Sequence, residues 1–257
     1  MTWSNRARPR RSTAWLPLVP FAALLACVKI FPPLDAPVLD AELVQRGQKM
    51  FQDPSLSGDR SRACNTCHPG GASDGNVYRD GEPVRAGDAG ARRPPQLRGA
   101  WQSAPYLWDG SAGSVDEALE RMLRVEMRGA AVRPEDREAL AAYVLSIPPF
   151  DSGRIQPDGS PVEPSTPGAS RGWAVFRDNC TLCHRPPSFT IGLRFDVGTG
   201  GKLSSPSLRG LSQSRGPYGH DGRWASLEDA VKAMVENREL ALGEHDIASL
   251  VEYLRLL

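Results

Sequence analysis

Apolar residues return at helical spacing twice along this chain, in nearly the same phrase. Val115, Ala118, Leu119, Met122 and Leu123 fall on one face of a helix, and Leu227, Ala230, Val231, Met234 and Val235 repeat the stripe. Each stripe follows a serine with an acid three residues on, Ser114 with Glu117 and Ser226 with Asp229. Serine caps the free N–H groups at a helix start and the acid answers it, Asp229 making the looser version of the box. The pattern predicts two capped helices that turn Met122 and Met234 inward.

The repetition runs well beyond these helices. "PYLWDGSAGSVDEALERM" at 105–122 is echoed by "PYGHDGRWASLEDAVKAM" at 217–234. Arg46-Gly47-x3-Phe51 corresponds to Arg171-Gly172-x3-Phe176, Pro95-x-Leu97-Arg98-Gly99 to Pro206-x-Leu208-Arg209-Gly210, and Gln102-Ser103 to Gln213-Ser214. Near the ends Leu140, Tyr143 and Leu145 answer Leu250, Tyr253 and Leu254, the last displaced by one. The chain is therefore read as a tandem duplication, one domain over 38–150 and another over 170–257. The stretch between them, 151–169, is rich in Pro, Gly and Ser and is expected to be a linker without a packed element. Each half is expected to hold a helix, a cysteine-bearing turn, a long irregular loop, a middle helix and a closing helix, an all-α, loop-rich fold.

Composition adds a constraint. Only 40 % of the 257 residues are apolar, and Gly and Pro number 25 and 23, so the core is modest and something else must fill the middle. The net charge of +1 leaves no excess of Lys or Arg for nucleic acid. At the N-terminus an arginine-rich stretch precedes an apolar run from Ala14 to Ala26 that is too short to span a bilayer. Residues 1–27 read as an export signal. Their end, Leu24-Leu25-Ala26-Cys27, is similar to a bacterial lipoprotein processing site, in which Cys27 is acylated and anchors the chain to the membrane. An uncleaved anchor helix is the alternative, against which Pro17, Pro20 and Lys29 count.

The other four cysteines form two Cys-x-x-Cys-His motifs, Cys64-Cys67-His68 and Cys180-Cys183-His184. In an exported chain these read as two c-type haem attachment sites. Thiols three apart lie on one side of a helical turn, so each can add to one vinyl group of the same haem, and the next residue supplies an imidazole to the iron. Four thiolates on zinc, or two disulfides, would account for the cysteines but predict no histidine after each pair. One covalent haem per half would also supply the missing core.

A sixth ligand is then needed in each half. Two histidines remain, His220 and His245, whereas Met122 and Met234 occupy equivalent inward positions; core filling is their alternative role. Met122 and Met234 are the expected ligands, with Met127 as the fallback in the first half. Thioether ligation favours ferrous iron and leaves no open position, which suits electron transfer. Arg98 and Arg209 are candidates to pair with haem propionates, a plain surface turn being the alternative. His220 is expected to be structural or to contact a propionate, and His245 to be solvated.

With both motifs, "FDVGTGG" at 195–201, "SPSLRG" at 205–210 and "PYGHDG" at 217–222, residues 42–257 resemble the bacterial di-haem cytochrome c peroxidases and the related enzymes that mature methylamine dehydrogenase. The resemblance implies that Met234, fourteen residues after His220, is the distal ligand of the electron-accepting haem. It also implies that Trp108 lies between the haems as an electron relay, a packed aromatic being the other reading. It departs in the first half: no histidine lies between His68 and His184, Ala118 stands at the position of the family's Gln, and Arg128 at that of its Glu. Arg93 and Arg215 stand where residues of the inter-domain calcium site are expected, and two cations there oppose Ca²⁺. The expectation is a periplasmic, lipid-anchored di-haem cytochrome that exchanges electrons with a small cytochrome or cupredoxin and that can form a homodimer. An active peroxidase or oxidase reducing hydrogen peroxide is the alternative, and a zinc-stabilised binding module is the third class.

Overall fold

The Arg-Gly-x3-Phe sequence of each half builds the same helix crossing. In the computed structural model, which describes residues 35–257, α1 (Ala41–Phe51) crosses α4 (Pro134–Ser146), and α5 (Pro167–Asn179) crosses α7 (Glu244–Leu254). The predicted export signal and Cys27 lie outside the described residues. At each crossing the glycine admits the partner backbone: a Cβ on Gly47 would lie 1.9 Å from the Ala139 carbonyl oxygen, and one on Gly172 2.0 Å from that of Ser249. The arginine before each glycine ties the crossing from outside, Arg46 to Asp136 and Arg171 to Asp246. The phenylalanine closes it from inside. Phe51 meets Tyr143 with centroids 5.0 Å apart, and Phe176 meets Tyr253 at 5.2 Å.

These crossings make a direct prediction. An alanine in place of Gly172 gains about 1 kcal/mol of helix propensity, but overpacking against backbone costs roughly 1–3 kcal/mol and occasionally more. Gly172→Ala and Gly47→Ala should therefore both lower the thermal midpoint; a variant melting at or above the parent would show that the helices do not cross so closely.

The middle helices are α3 (Val115–Arg121) and α6 (Leu227–Asn237). Ser114 Oγ accepts from Glu117 N at 3.1 Å and Ser226 Oγ from Asp229 N at 3.0 Å, so both serines are caps. The reciprocal bond completes only in the second half, where Ser226 N donates to Asp229 Oδ2 at 3.1 Å. The longer Glu117 overshoots and takes the Gly113 N–H instead, at 2.7 Å. The looser box by sequence is the closed one in space, because the shorter side chain stops at its own cap.

Two clusters of buried side chains result, one around Phe51, Leu123, Leu140 and Val144, the other around Phe176, Val231, Leu250 and Tyr253. In each half the Leu-Arg-Gly turn is hung from the end of the closing helix: Gly99 N donates to Ile147 O at 2.9 Å and Gly210 N to Leu257 O at 2.8 Å. Both glycines are left-handed, at φ 70° and 86°.

The architecture is helix-rich but not purely helical. The irregular loop after each cysteine motif folds back as a short antiparallel pair, β1 (Tyr78–Arg79) with β2 (Glu82–Pro83) and β3 (Arg194–Asp196) with β4 (Lys202–Ser204). The stretch between the halves also differs from a bare tether. Its turn at 156–160 is bonded within itself, Tyr253 Oη donates to Gly159 O at 2.6 Å, and α5 begins inside it at Pro167 with Ala169 buried; just before it Arg209 Nη1 donates to Phe150 O at 2.9 Å. A segment too polar to own a core thus packs by lending carbonyls to the second half. Among the described residues no helix is long and apolar enough to cross a membrane.

Candidate functional site

Both cysteine motifs are single helical turns closed by the same bond. Cys64 and Cys67 bound α2 (Cys64–Cys67), and His68 N donates to Cys64 O at 2.9 Å; His184 N donates to Cys180 O at 2.9 Å just past the end of α5. The four thiols are free, and each pair lines, with its histidine, one continuous cavity of about 1200 Å³. A typical small-molecule pocket measures about 300–1,000 Å³, so this one exceeds the usual size.

The environment sets the protonation of these groups. Burial pushes the Cys64 thiol up to about 11 and the Cys180 thiol up to about 12, so both are neutral at neutral pH. Burial likewise pushes His68 down to about 4, against the opposing pull of the Pro95 carbonyl and Asp74. His184 is lowered by burial too, opposed by the carbonyls of Phe189 and Pro206. Both imidazoles are therefore neutral and keep a lone pair for a metal. Phe189 O lies 3.1 Å from His184 Nδ1, which fixes that nitrogen as the donor and leaves Nε2 as the ligating one. His68 Nδ1 is buried without such a partner.

Met234 sits within the uninterrupted α6 and lines the cavity. Met122 also lines it, but the first half departs from the second at that residue. Here α3 ends and a π turn, Met122–Glu126, begins, closed by Met127 N donating to Met122 O at 3.0 Å. Arg128 beyond it is left-handed at φ 49°. The turn brings Met127 to the wall as well, its sulfur 4.0 Å from Cys64 Sγ. Sequence periodicity carried no sign of the turn, because the apolar stripe through Leu123 reads as ordinary helix.

Between the halves, Trp108 lies edge-on to His220 with centroids 6.1 Å apart. Its Nε1–H donates to Arg93 O at 2.7 Å, and Arg93 N donates to His220 O at 2.7 Å. Ser204 N donates to Trp108 O at 2.9 Å, so the tryptophan is bonded across the seam. His220 is buried beside Asp221 and its imidazole is lowered, burial being the main cause. His245 is exposed in the first turn of α7.

Arg98 and Arg209 both line the cavity, yet their forks meet protein acceptors. Arg98 donates to Gly70 O at 3.1 Å and Gln213 Oε1 at 2.7 Å; Arg209 donates to Pro187 O at 2.6 Å and to Phe150 O. Three further wall residues stand out, Glu126 and Thr199 in no role the sequence suggested and Arg93 in one other than opposing calcium. Glu126, in the π turn, accepts from Gly81 N at 2.8 Å. Arg93 and Thr199 present a buried Nε and a buried Oγ1 without partners. With His68 Nδ1 these are the orphaned buried side-chain atoms among the described residues, and all three belong to the cavity wall.

The donor set can be tested against what it could hold. Two separated pairs of thiols, each with a neutral imidazole behind and a thioether on the same wall, fit a covalently bound haem in each half. They do not fit a tetrathiolate cage, since among the described residues no three His, Cys, Asp or Glu side chains gather as metal ligands. Calcium does not fit the seam, because the Arg93 guanidinium occupies it and donates to Ser214 Oγ at 3.2 Å.

The family described as "Di-haem cytochrome c peroxidase" matches residues 41–151. Methylamine utilization protein MauG of Methylorubrum extorquens is 30% identical over an alignment covering 78% of this chain and 70% of that protein. Among solved structures, hydrazine synthase of Kuenenia stuttgartiensis superposes with a TM-score of 0.72 at 22% identity, covering 100% of both chains. The diheme peroxidase BthA of Burkholderia thailandensis gives 0.65 at 21% identity, covering 86% of both. At these identities the two structures establish likeness of fold.

Proposed function

Because this chain belongs to the di-haem cytochrome c peroxidase family, we propose that it binds two covalent haems c and transfers electrons. The carrying observation is the single cavity whose wall repeats the same set of thiols, imidazole and thioether in each half. Cys64 and Cys67 would hold one haem and Cys180 and Cys183 the other, with His68 and Met122, and His184 and Met234, facing the two irons. Bound haem supplies reversible one-electron iron chemistry. The chain's part is to hold neutral imidazoles, to place a thioether that favours the reduced state, and to set Trp108 across the seam as a relay.

In this reading the tandem units are 38–150 and 170–257, joined by 151–169. The chain is exported to the periplasm, tethered through acylated Cys27, and exchanges electrons with a small cytochrome or cupredoxin, singly or as a homodimer. Calcium has no part in it.

One observation favours a second reading, reduction of peroxide at the first haem. That chemistry needs a proton acceptor within reach, and Glu126 lies on the wall beside Met122 and Met127 although the expected position, 128, holds arginine. In electron paramagnetic resonance of the oxidised and half-reduced protein, the carrier should show two low-spin haems inert to peroxide. A high-spin signal on half-reduction, with rapid turnover, would establish the peroxidase instead.

A further inference from the structure

Arg93 is held as few cavity residues are. Its backbone is pinned on both sides, the N–H on the His220 carbonyl and the carbonyl under the Trp108 indole N–H, both at 2.7 Å. From this fixed base the side chain enters the cavity. Nη2 meets Ser214 Oγ at a long 3.2 Å, Nε is buried with no partner, and among the described residues Arg93 forms no ion pair.

A guanidinium presents five donors in a rigid fork matched to a carboxylate, and a buried polar group without a partner is a costly thing for a fold to keep. Arg98 and Arg209, the two arginines that the repeat makes equivalent, have their forks committed to protein oxygens. Arg93 has no like counterpart in the repeat, since counting back from Pro95 and Pro206 the corresponding residue is Ser204, followed by Ser205. Those serines are buried and bonded to carbonyls: Ser204 Oγ donates to Pro105 O at 3.3 Å and Ser205 Oγ to Cys183 O at 2.6 Å. At the equivalent place the second half therefore offers no cation, and Thr199, whose buried Oγ1 also lacks a partner, faces the same cavity.

We infer that Arg93 is the cavity's carboxylate-binding residue, pairing with a propionate of a bound haem at the seam between the halves. This rests on the di-haem reading above. Burial lowers the guanidinium from its ordinary range, with Tyr218 and Asp74 opposing, which is the condition that an anionic partner relieves. A cation on the propionate disfavours the more positive ferric state, so Arg93 raises the potential of the haem that it touches. Because the same residue carries the bonds to Trp108 and His220, occupancy of the cavity and order in the seam are linked through it.

The test uses the haem-loaded protein. Arg93→Gln should keep two covalent haems per chain but move the midpoint potential of one of them to a more negative value, leaving the other in place. Arg93→Lys, which keeps the charge without the fork, should restore most of that shift while still altering the propionate bending band in the resonance Raman spectrum. Should the Gln variant fail to load, the Raman band of the Lys variant decides: a band shifted from the parent supports the pairing, and an unshifted one overturns it. Unchanged potentials in Arg93→Gln with both haems present overturn it too. Failure of the underlying reading would show differently, as a parent protein without two covalent haems.

Discussion

Replacing Cys180 and Cys183 together by serine should leave a chain with one covalent haem instead of two and a second half that no longer holds its fold. The helices α5, α6 and α7 meet in a cluster whose members Phe176, Leu227, Val231, Val235, Leu250 and Leu254 also line the cavity. Their inner faces therefore depend on what fills it. Unfilled volume costs about 24 cal/mol per Å³ in an apolar core, so even a few hundred Å³ of the cavity amounts to several kcal/mol. Against a total stability of about 5–15 kcal/mol, that is enough to unfold the half. Haem per chain, measured as the pyridine complex, should fall by half, and circular dichroism should show early loss of part of the helix signal. Retention of two covalent haems would refute the attachment at these thiols. The matching change at Cys64 and Cys67 should spare the second half in the same way.

The second large effect concerns the two methionines, which the structure no longer treats alike. Met234 lies in regular helix, so Met234→Ala should remove the thioether-to-iron charge-transfer absorption of its haem and open the iron to small ligands. Its potential should drop by a sizeable part of the roughly 0.8 V that axial ligands span. Met122→Ala should do the same to the first haem only if Met122 is the ligand there. Met127, 4.0 Å from Cys64 Sγ, is the second thioether on that wall. A first haem unchanged in Met122→Ala but altered in Met127→Ala would transfer the role by five residues. Both spectra unchanged would remove methionine from the first iron altogether.

What the sequence made legible was local or repeated. Cysteine spacing, serine caps and the Arg-Gly-x3-Phe phrase each act within a turn or two of chain, and duplication wrote each of them twice. The match of Gly47 with Gly172 marked a repeated place, but only the structure shows that both are helix crossings and which carbonyls require glycine there. The π turn was not legible, because one wider turn leaves the apolar stripe intact on either side. Glu126 went unseen for a related reason: counting from Trp108 assumes a regular helix all the way to position 128. Arg93 was noticed for opposing calcium, yet its unpaired Nε depends on backbone bonds to His220 and Trp108, residues distant along the chain. The strand pairs β1–β2 and β3–β4 are too short to leave an alternating pattern.

The π turn bears on how the copies have grown apart. From the distal turn to the methionine the two halves keep the same count, Trp108 to Met122 matching His220 to Met234. Beyond it Leu140 follows Met122 by 18 residues, whereas Leu250 follows Met234 by 16. Between the methionine and the closing helix the first half is thus two residues longer, and the wide turn and left-handed Arg128 lie within that stretch. That makes the segment an expansion joint: it carries extra length without changing the count before it, and an engineered loop should be accepted at the same place.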